Sequence, residues 1–260
     1  MPALRPYART LTWLGLLLVL LLPGLAAAAT PAAPAIPALP DVTVGRIAGA
    51  PVSLPLQTLL LMTAITLLPS MLLMLTAFTR IIIVLGLLRQ AMGTGNTPSN
   101  QVLLGLALFL TAMVMLPVWD KAWSTGMAPY LDGQIDFATA WQLTTEPIRA
   151  FMLAQIREQD LMTFAGITGQ GTYASPAEIP FPVLVASFIT SELKTAFEIG
   201  FLIFIPFVII DLVVASVLMS MGMMMLSPML VSAPFKILLF ILVDGWVLVV
   251  GTLAASFNAV

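Results

Sequence analysis

Apolar residues along this chain come in long blocks, and the polar positions between them mark where the chain should turn. The first block, Leu11 to Leu22, follows Arg5 and Arg9 and is succeeded by Pro23-Gly24 and the small residues Ala26 to Ala29. A basic start, a short apolar run and a small-residue site, in that order, predict a secretory signal peptide over residues 1–29, cut near Ala28 or Ala29. The run is twelve residues long, which makes only about 18 Å of helix against a hydrocarbon core of about 30 Å. An uncleaved anchor is the alternative. Residues 30–55 mix small residues with Pro31, Pro34, Pro37, Pro40, Pro51 and Pro55, a composition that predicts an extended, solvated tether.

Over 56–119 the pattern predicts a first pair of apolar helices. Gln57 to Leu88 is almost wholly apolar; Pro69 is expected to kink it. Arg80, inside that run, is expected to face protein, water or headgroups, because an arginine turned to lipid is costly. Arg89 to Gln101 reads as a polar loop, and its Gly93-Thr94-Gly95 lacks the preceding strand and following Lys of a phosphate loop, so a plain turn is the reading. Val102 to Trp119 carries no charge and is long enough to cross a membrane. Arg80 and Arg89 flank the intervening loop, which places it on the cytoplasmic side under the positive-inside rule.

Asp120 to Phe181 holds ten of the 22 charged residues, so 120–181 is the predicted water-exposed, periplasmic region. Within it an amphipathic helix is predicted over 146–165. Thr145 is its candidate cap, Pro147 falls in the first turn, and Ile148, Met152 and Ile156 recur at four-residue spacing. From 182 to 260 apolar material resumes as a predicted helical hairpin. Its turn is the run Leu218 to Met229, which contains Met219, Met221, Met223, Met224, Met225 and Met229, six of the sixteen methionines. Gly222 and Pro228 argue against a regular helix through 219–229. Methionine is flexible and polarisable, so a cluster of it makes an apolar surface able to repack around different shapes. Core filling is the alternative for individual members.

Composition sharpens this reading. The chain is 60% apolar and 8% charged with a mean hydropathy of +1.07, where a soluble domain carries about 25% charge. The fold class is therefore all-α and membrane-associated, with about four apolar helical regions. A net charge of −2 without a basic stripe leaves nucleic acid out as a partner. Neither Cys nor His occurs, which removes disulfides, thiolate nucleophiles, imidazole bases and nearly all transition-metal sites. No cofactor, metal site or catalytic residue is assigned.

Charges interrupt the C-terminal apolar material at Glu192, Lys194, Glu198, Asp211, Lys236 and Asp244. A lipid-facing span would not tolerate them, so these helices are expected to pack mainly on protein. Lys194 and Glu198 are spaced to pair on one helix. Glu192 then needs another partner, and Lys236, alone between apolar runs, is the candidate, in a pair expected between neighbouring copies. Asp211 and Asp244 invite comparison with an acid/base dyad, but no supporting motif surrounds them, and capping or pairing is the default for such acids. A small-solute channel or transporter is a different class. A secondary transporter would call for inverted repeats with paired broken helices, and the Met run has no counterpart near 89–101.

Two stretches carry a family likeness. Pro234-Phe235-Lys236, the apolar run Ile237 to Val243 and Asp244-Gly245-Trp246 resemble the C-terminal signature of the FliP family of flagellar export-gate proteins. Ser191 to Phe201 resembles that family's other signature. Just before it, Ala186-Ser187-Phe188 stands where the family usually shows Pro-Ala-Phe. The likeness continues through Phe78 to Ala91, Pro98 to Thr111 and Glu146 to Phe164, and covers most of the chain from about Leu56. It implies a subunit of the flagellar type III export gate, acting by conduction and not as an enzyme. It further implies a homo-oligomer, a pentamer, assembled with FliR and FliQ beside FlhA and FlhB in the inner membrane. That assembly would pass unfolded flagellar substrates and be lifted largely to the periplasmic side of the lipid. Phe151 and Phe164 match aromatics that help subunits associate, and Glu192 and Lys236 match positions at subunit contacts. Met runs from several copies meeting on one axis would form an apolar gasket. The equivalent subunit of a virulence injectisome is the nearest alternative.

Overall fold

The structure is a computed structural model that describes residues 41–47, 50–169, 171, 173, 175–223 and 226–257. The expected signal peptide, 1–29, lies outside the described residues. The chain divides into two compact units, 1–61 and 62–260.

In the first unit β1 (Asp41–Ile47) and β2 (Ala50–Pro55) pair antiparallel. The expected tether is therefore paired over part of its length. Its β-branched Val42, Val44, Ile47 and Val52 favour strand, and Pro51 and Pro55 are tolerated because every strand of a two-stranded ribbon is an edge. The register slips between Thr43 and Gly45, leaving Val44 as the extra residue of a bulge.

From Leu56 the chain is helical: α1 (Leu56–Met74), α2 (Phe78–Met92), α3 (Asn100–Ala122), a π-turn over Trp123–Met127, α4 (Ala128–Leu131), α5 (Phe137–Gln155), α6 (Glu158–Ile167), a 3-10 turn at Pro176–Glu178, α7 (Phe181–Ser220), α8 (Pro228–Leu242) and α9 (Gly245–Ala255). Among the described residues, two stretches, Asn100–Leu131 and Phe181–Ser220, are long and apolar enough to cross a membrane singly; α1 with α2 and α8 with α9, bent by 70° and 65°, raise this to four if each pair counts as one span.

The core of the second unit sits where α2 crosses α7. Ile81, Val84, Leu85 and Leu88 of α2 are buried at three- and four-residue spacing, one stripe of a helix. They face Leu184, Phe188 and Ala196 of α7, with Phe151 and Met152 of α5 and Leu103 and Ala107 of α3 closing the sides. Two glycines mark close approaches. A Cβ on Gly200 would lie 2.2 Å from Leu87 Cδ1, and one on Gly126 would lie 2.7 Å from the Thr144 amide nitrogen and 2.9 Å from the Ala140 carbonyl oxygen.

Two boundaries differ from expectation, and a third is set by proline. The break in the first apolar run falls at Leu75–Ala77, while Pro69 lies inside α1. At the break, Thr76 Oγ1 donates to the Leu73 carbonyl and accepts the Phe78 N–H, a local hydroxyl–backbone exchange that competes with the helix ladder. The helix expected over 146–165 is two helices. Pro147 lies inside α5, the Thr145 hydroxyl bonds back to the Trp141 and Gln142 carbonyls instead of capping, and extended backbone at Ile156 and Arg157 separates α5 from α6. Finally, α7 runs unbroken through Ala186-Ser187-Phe188, having begun at Phe181 with Pro182 in its first turn.

Candidate functional site

The turn between α7 and α8 is built by short-range rules. Gly222 adopts φ 74°; its N–H bonds the Met219 carbonyl at 3.0 Å, and the Met223 N–H bonds the Leu218 carbonyl at 3.0 Å. This double bond pattern around a left-handed glycine ends a helix while satisfying its last carbonyls. Pro228 then opens α8, where its missing N–H costs nothing. Met219 closes α7 and Met229 opens α8, while Met221 and Met223 stand in the turn, and all four side chains are exposed. Met224 and Met225 lie outside the described residues.

Below the turn, the charged residues expected to need partners have them within the chain. Arg80 and Glu192 form a two-point ion pair: Arg80 Nε donates to Glu192 Oε2 at 2.8 Å, and Nη2 approaches Oε1. The same guanidinium donates to Gln155 Oε1 at 2.9 Å and to the Ser256 carbonyl at 2.9 Å, and lies 3.9 Å from the centre of the Phe257 ring. One arginine thus ties α2, α5, α7 and the end of α9 together. The guanidinium fork, with donors on three nitrogens, suits this role where an ammonium would not.

Lys236 Nζ donates to Asp211 Oδ2 at 2.6 Å, and Ser232 Oγ donates to Asp211 Oδ1 at 2.6 Å. The expected Glu192–Lys236 pair is therefore not formed within the chain: Glu192 is fully buried on Arg80 and Lys236 is buried on Asp211. Each charge has already met an opposite charge, which removes the demand that suggested their pairing. Glu198 likewise bonds Arg157 in place of Lys194, with Nη1 to Oε1 at 2.9 Å. That bond holds the Arg157 guanidinium further from deprotonation than an isolated arginine. Ser191 joins the same neighbourhood, accepting the Arg157 N–H at 3.1 Å and donating to Asp160 Oδ2 at 2.6 Å.

Phe151 is a core residue of the single chain, 2% exposed, with its ring 6.1 Å from Phe188 and 6.3 Å from Phe257. Phe164 is half-buried at the edge of that core. Asp244 is not brought to Asp211. It adopts φ 51° at the corner between α8 and α9, where Gly245 lies against the Phe240 ring and Trp246 packs edge-on to it at 5.4 Å. The Asp-Gly-Trp stretch is thus a bend. Sequence reasoning missed Gln155, Ser232 and Ser256 as partners. They are neutral, lie far from the charges they serve, and leave no local signal.

A membrane protein that is helical from Leu56 on, with buried charge clusters below an exposed methionine turn, is the class these features define. Within it the assignment is specific: the sequence profile of the FliP family matches residues 61–253, and the chain belongs to that family. It is 56% identical over 217 residues to a flagellar biosynthetic protein FliP of Cereibacter sphaeroides, covering 84% of this chain and 72% of that protein. The FliP of Bacillus subtilis is 49% identical over 206 residues, covering 79% of this chain and 93% of its own length. That of Agrobacterium fabrum is 43% identical over 242 residues, covering 92% and 96%.

Proposed function

We propose that this chain is a subunit of the flagellar protein-export gate, forming with other copies the path through which unfolded flagellar proteins leave the cell. Membership of the FliP family over residues 61–253 carries this reading, and the flagellar naming of the relatives favours it over a virulence injectisome. Large apolar side chains along α7, such as Phe201, Leu202 and Leu212, are two-thirds or nearly so exposed. A single chain in water would not leave such a face uncovered, and lipid or neighbouring subunits would cover it.

In this reading the copies form a pentamer with FliR and FliQ, adjoin FlhA and FlhB, and sit in the inner membrane largely on its periplasmic side. The methionine turns meet at the axis and seal by soft packing, closed to ions yet able to open around a polypeptide. Phe164 is the better placed of the two aromatics to reach a neighbour, and Phe151 acts by holding α5. Glu192 and Lys236 serve contacts through the helices they brace. No bond chemistry is assigned. The test is native mass spectrometry of the gently solubilised complex after co-expression with FliR and FliQ. A mixed assembly with several copies of this chain is expected; a lone monomer or dimer would shift the reading to a self-sufficient channel or transporter.

A further inference from the structure

Among the described residues, the α7–α8 hairpin is joined by one polar clamp and, above it, by apolar contact alone. Asp211 lies nine residues before the end of α7 at Ser220, about 14 Å below the turn at 1.5 Å per residue. Its two oxygens are divided between successive turns of α8: Oδ1 takes the Ser232 hydroxyl and Oδ2 the Lys236 ammonium, each at 2.6 Å. Ser232 and Lys236 are four residues apart and share one face of α8. Both are buried. A Cβ on Gly93 would lie 3.8 Å from Lys236 Nζ, so the ammonium also stands at the C-terminal end of α2, where free carbonyls favour a cation.

Among the described residues, α7 and α8 share no polar contact between this clamp and the turn. An open apolar groove of about 480 Å³ lies along them, lined on α7 from Ile209 and Ile210, beside Asp211, up to Val217 and Leu218, and on α8 by Val231 and Phe235. Apolar helix faces hold one axial position weakly where the surroundings are equally apolar, because sliding exchanges one such contact for another. A carboxylate bridging two turns is different. A slip of one helical turn, about 5.4 Å, brings at most one of the two donors, themselves one turn apart, back to Asp211, so the carboxylate loses its two-point contact.

We propose that Asp211 is a positioning residue for the methionine turn, setting the axial register of α8 on α7 through Ser232 and Lys236 together. The register itself needs no assumption about export; its consequence for sealing rests on the gate reading above.

The absence of native cysteine allows spin labels at Val217→Cys and Leu230→Cys, measured by electron–electron distance spectroscopy in the complete complex diluted with unlabelled copies. With Asp211 intact, and in Asp211→Glu, a narrow distance distribution is expected. In Asp211→Asn it should broaden and shift by about 5 Å, one helical turn, and passive entry of a small solute should rise about tenfold or more per assembled complex, as loss of a charged hydrogen bond would allow. An unchanged distribution in an assembled Asp211→Asn complex overturns the proposal. Should that variant fail to assemble, Ser232→Ala, which removes one neutral bond, must broaden the distribution, and no broadening overturns the proposal equally. A changed distribution with unchanged solute entry upholds the clamp and overturns the gate reading instead.

Discussion

Arg80 and Glu192, 112 positions apart in the chain, meet as a two-point ion pair with side chains 2% and 0% exposed. Such a pair is not a large net source of stability, since taking both charges out of water offsets most of their attraction. It is a strict requirement that both be present. Glu192→Ala or Arg80→Ala, leaving the other charge stranded, is expected to cost about 3 to 5 kcal/mol, read as a lower unfolding temperature of the detergent-solubilised protein. Arg80→Met with Glu192→Leu together should recover much of that loss. A double variant no better than either single change would mean that the arginine's bonds to Gln155 and Ser256 matter more than the pair.

Arg157 and Glu198 make the same two-point contact in a different setting, with side chains 33% and 53% exposed. Exposed pairs contribute little to stability and are screened by salt. Glu198→Gln should therefore lower the unfolding temperature slightly at low salt and hardly at all at high salt. A loss as large as that of Glu192→Ala would show that Glu198 is covered in the assembly.

The contrast between these pairs shows how far the sequence could be read. Helix content, the methionine turn and the need to keep Arg80 off lipid were legible, because period, Gly222, Pro228 and the cost of a lipid-facing charge are local facts. The partner of each charge was not. Glu192 meets Arg80 and Lys236 meets Asp211 only because α2, α7 and α8 pack as they do, and nothing within a few residues of any of them encodes that arrangement. Helix breaks were misplaced for a related reason. Pro69 and Pro147 are tolerated inside α1 and α5, whereas the actual interruptions at Leu75–Ala77 and Ile156–Arg157 contain no proline or glycine. The 41–55 hairpin was hidden by prolines that an edge strand accepts.

Two glycines of opposite surroundings give a paired prediction. Gly126→Ala puts a methyl group against the backbone of Thr144 and Ala140, so α5 must shift away from the π-turn, a kind of overpacking that costs about 1 to 3 kcal/mol. Gly251, within α9, has nothing within 4 Å of where its Cβ would stand. Gly251→Ala should stabilise by about 0.5 to 1 kcal/mol through helix propensity. Thermal unfolding of the two variants in one detergent should move in opposite directions. A stabilising Gly126→Ala would show that the α3–α5 crossing is looser than these distances describe.

The methionine turn makes the sharpest separation between assembly and sealing. The described methionines Met219, Met221, Met223 and Met229 do not build the core of the chain, because their side chains are exposed. Replacing Met223, Met224 and Met225 with alanine should leave the mass of the solubilised complex unchanged, while shortening the side chains available to meet at an axis. Entry of small solutes into cells holding the variant should rise at equal amounts of complex, and leucine at the same positions, similar in volume but stiffer, should seal better than alanine yet slow export. Unchanged solute entry together with unchanged export in the alanine variant would sink the gasket. Loss of the complex itself would instead assign these residues to subunit packing.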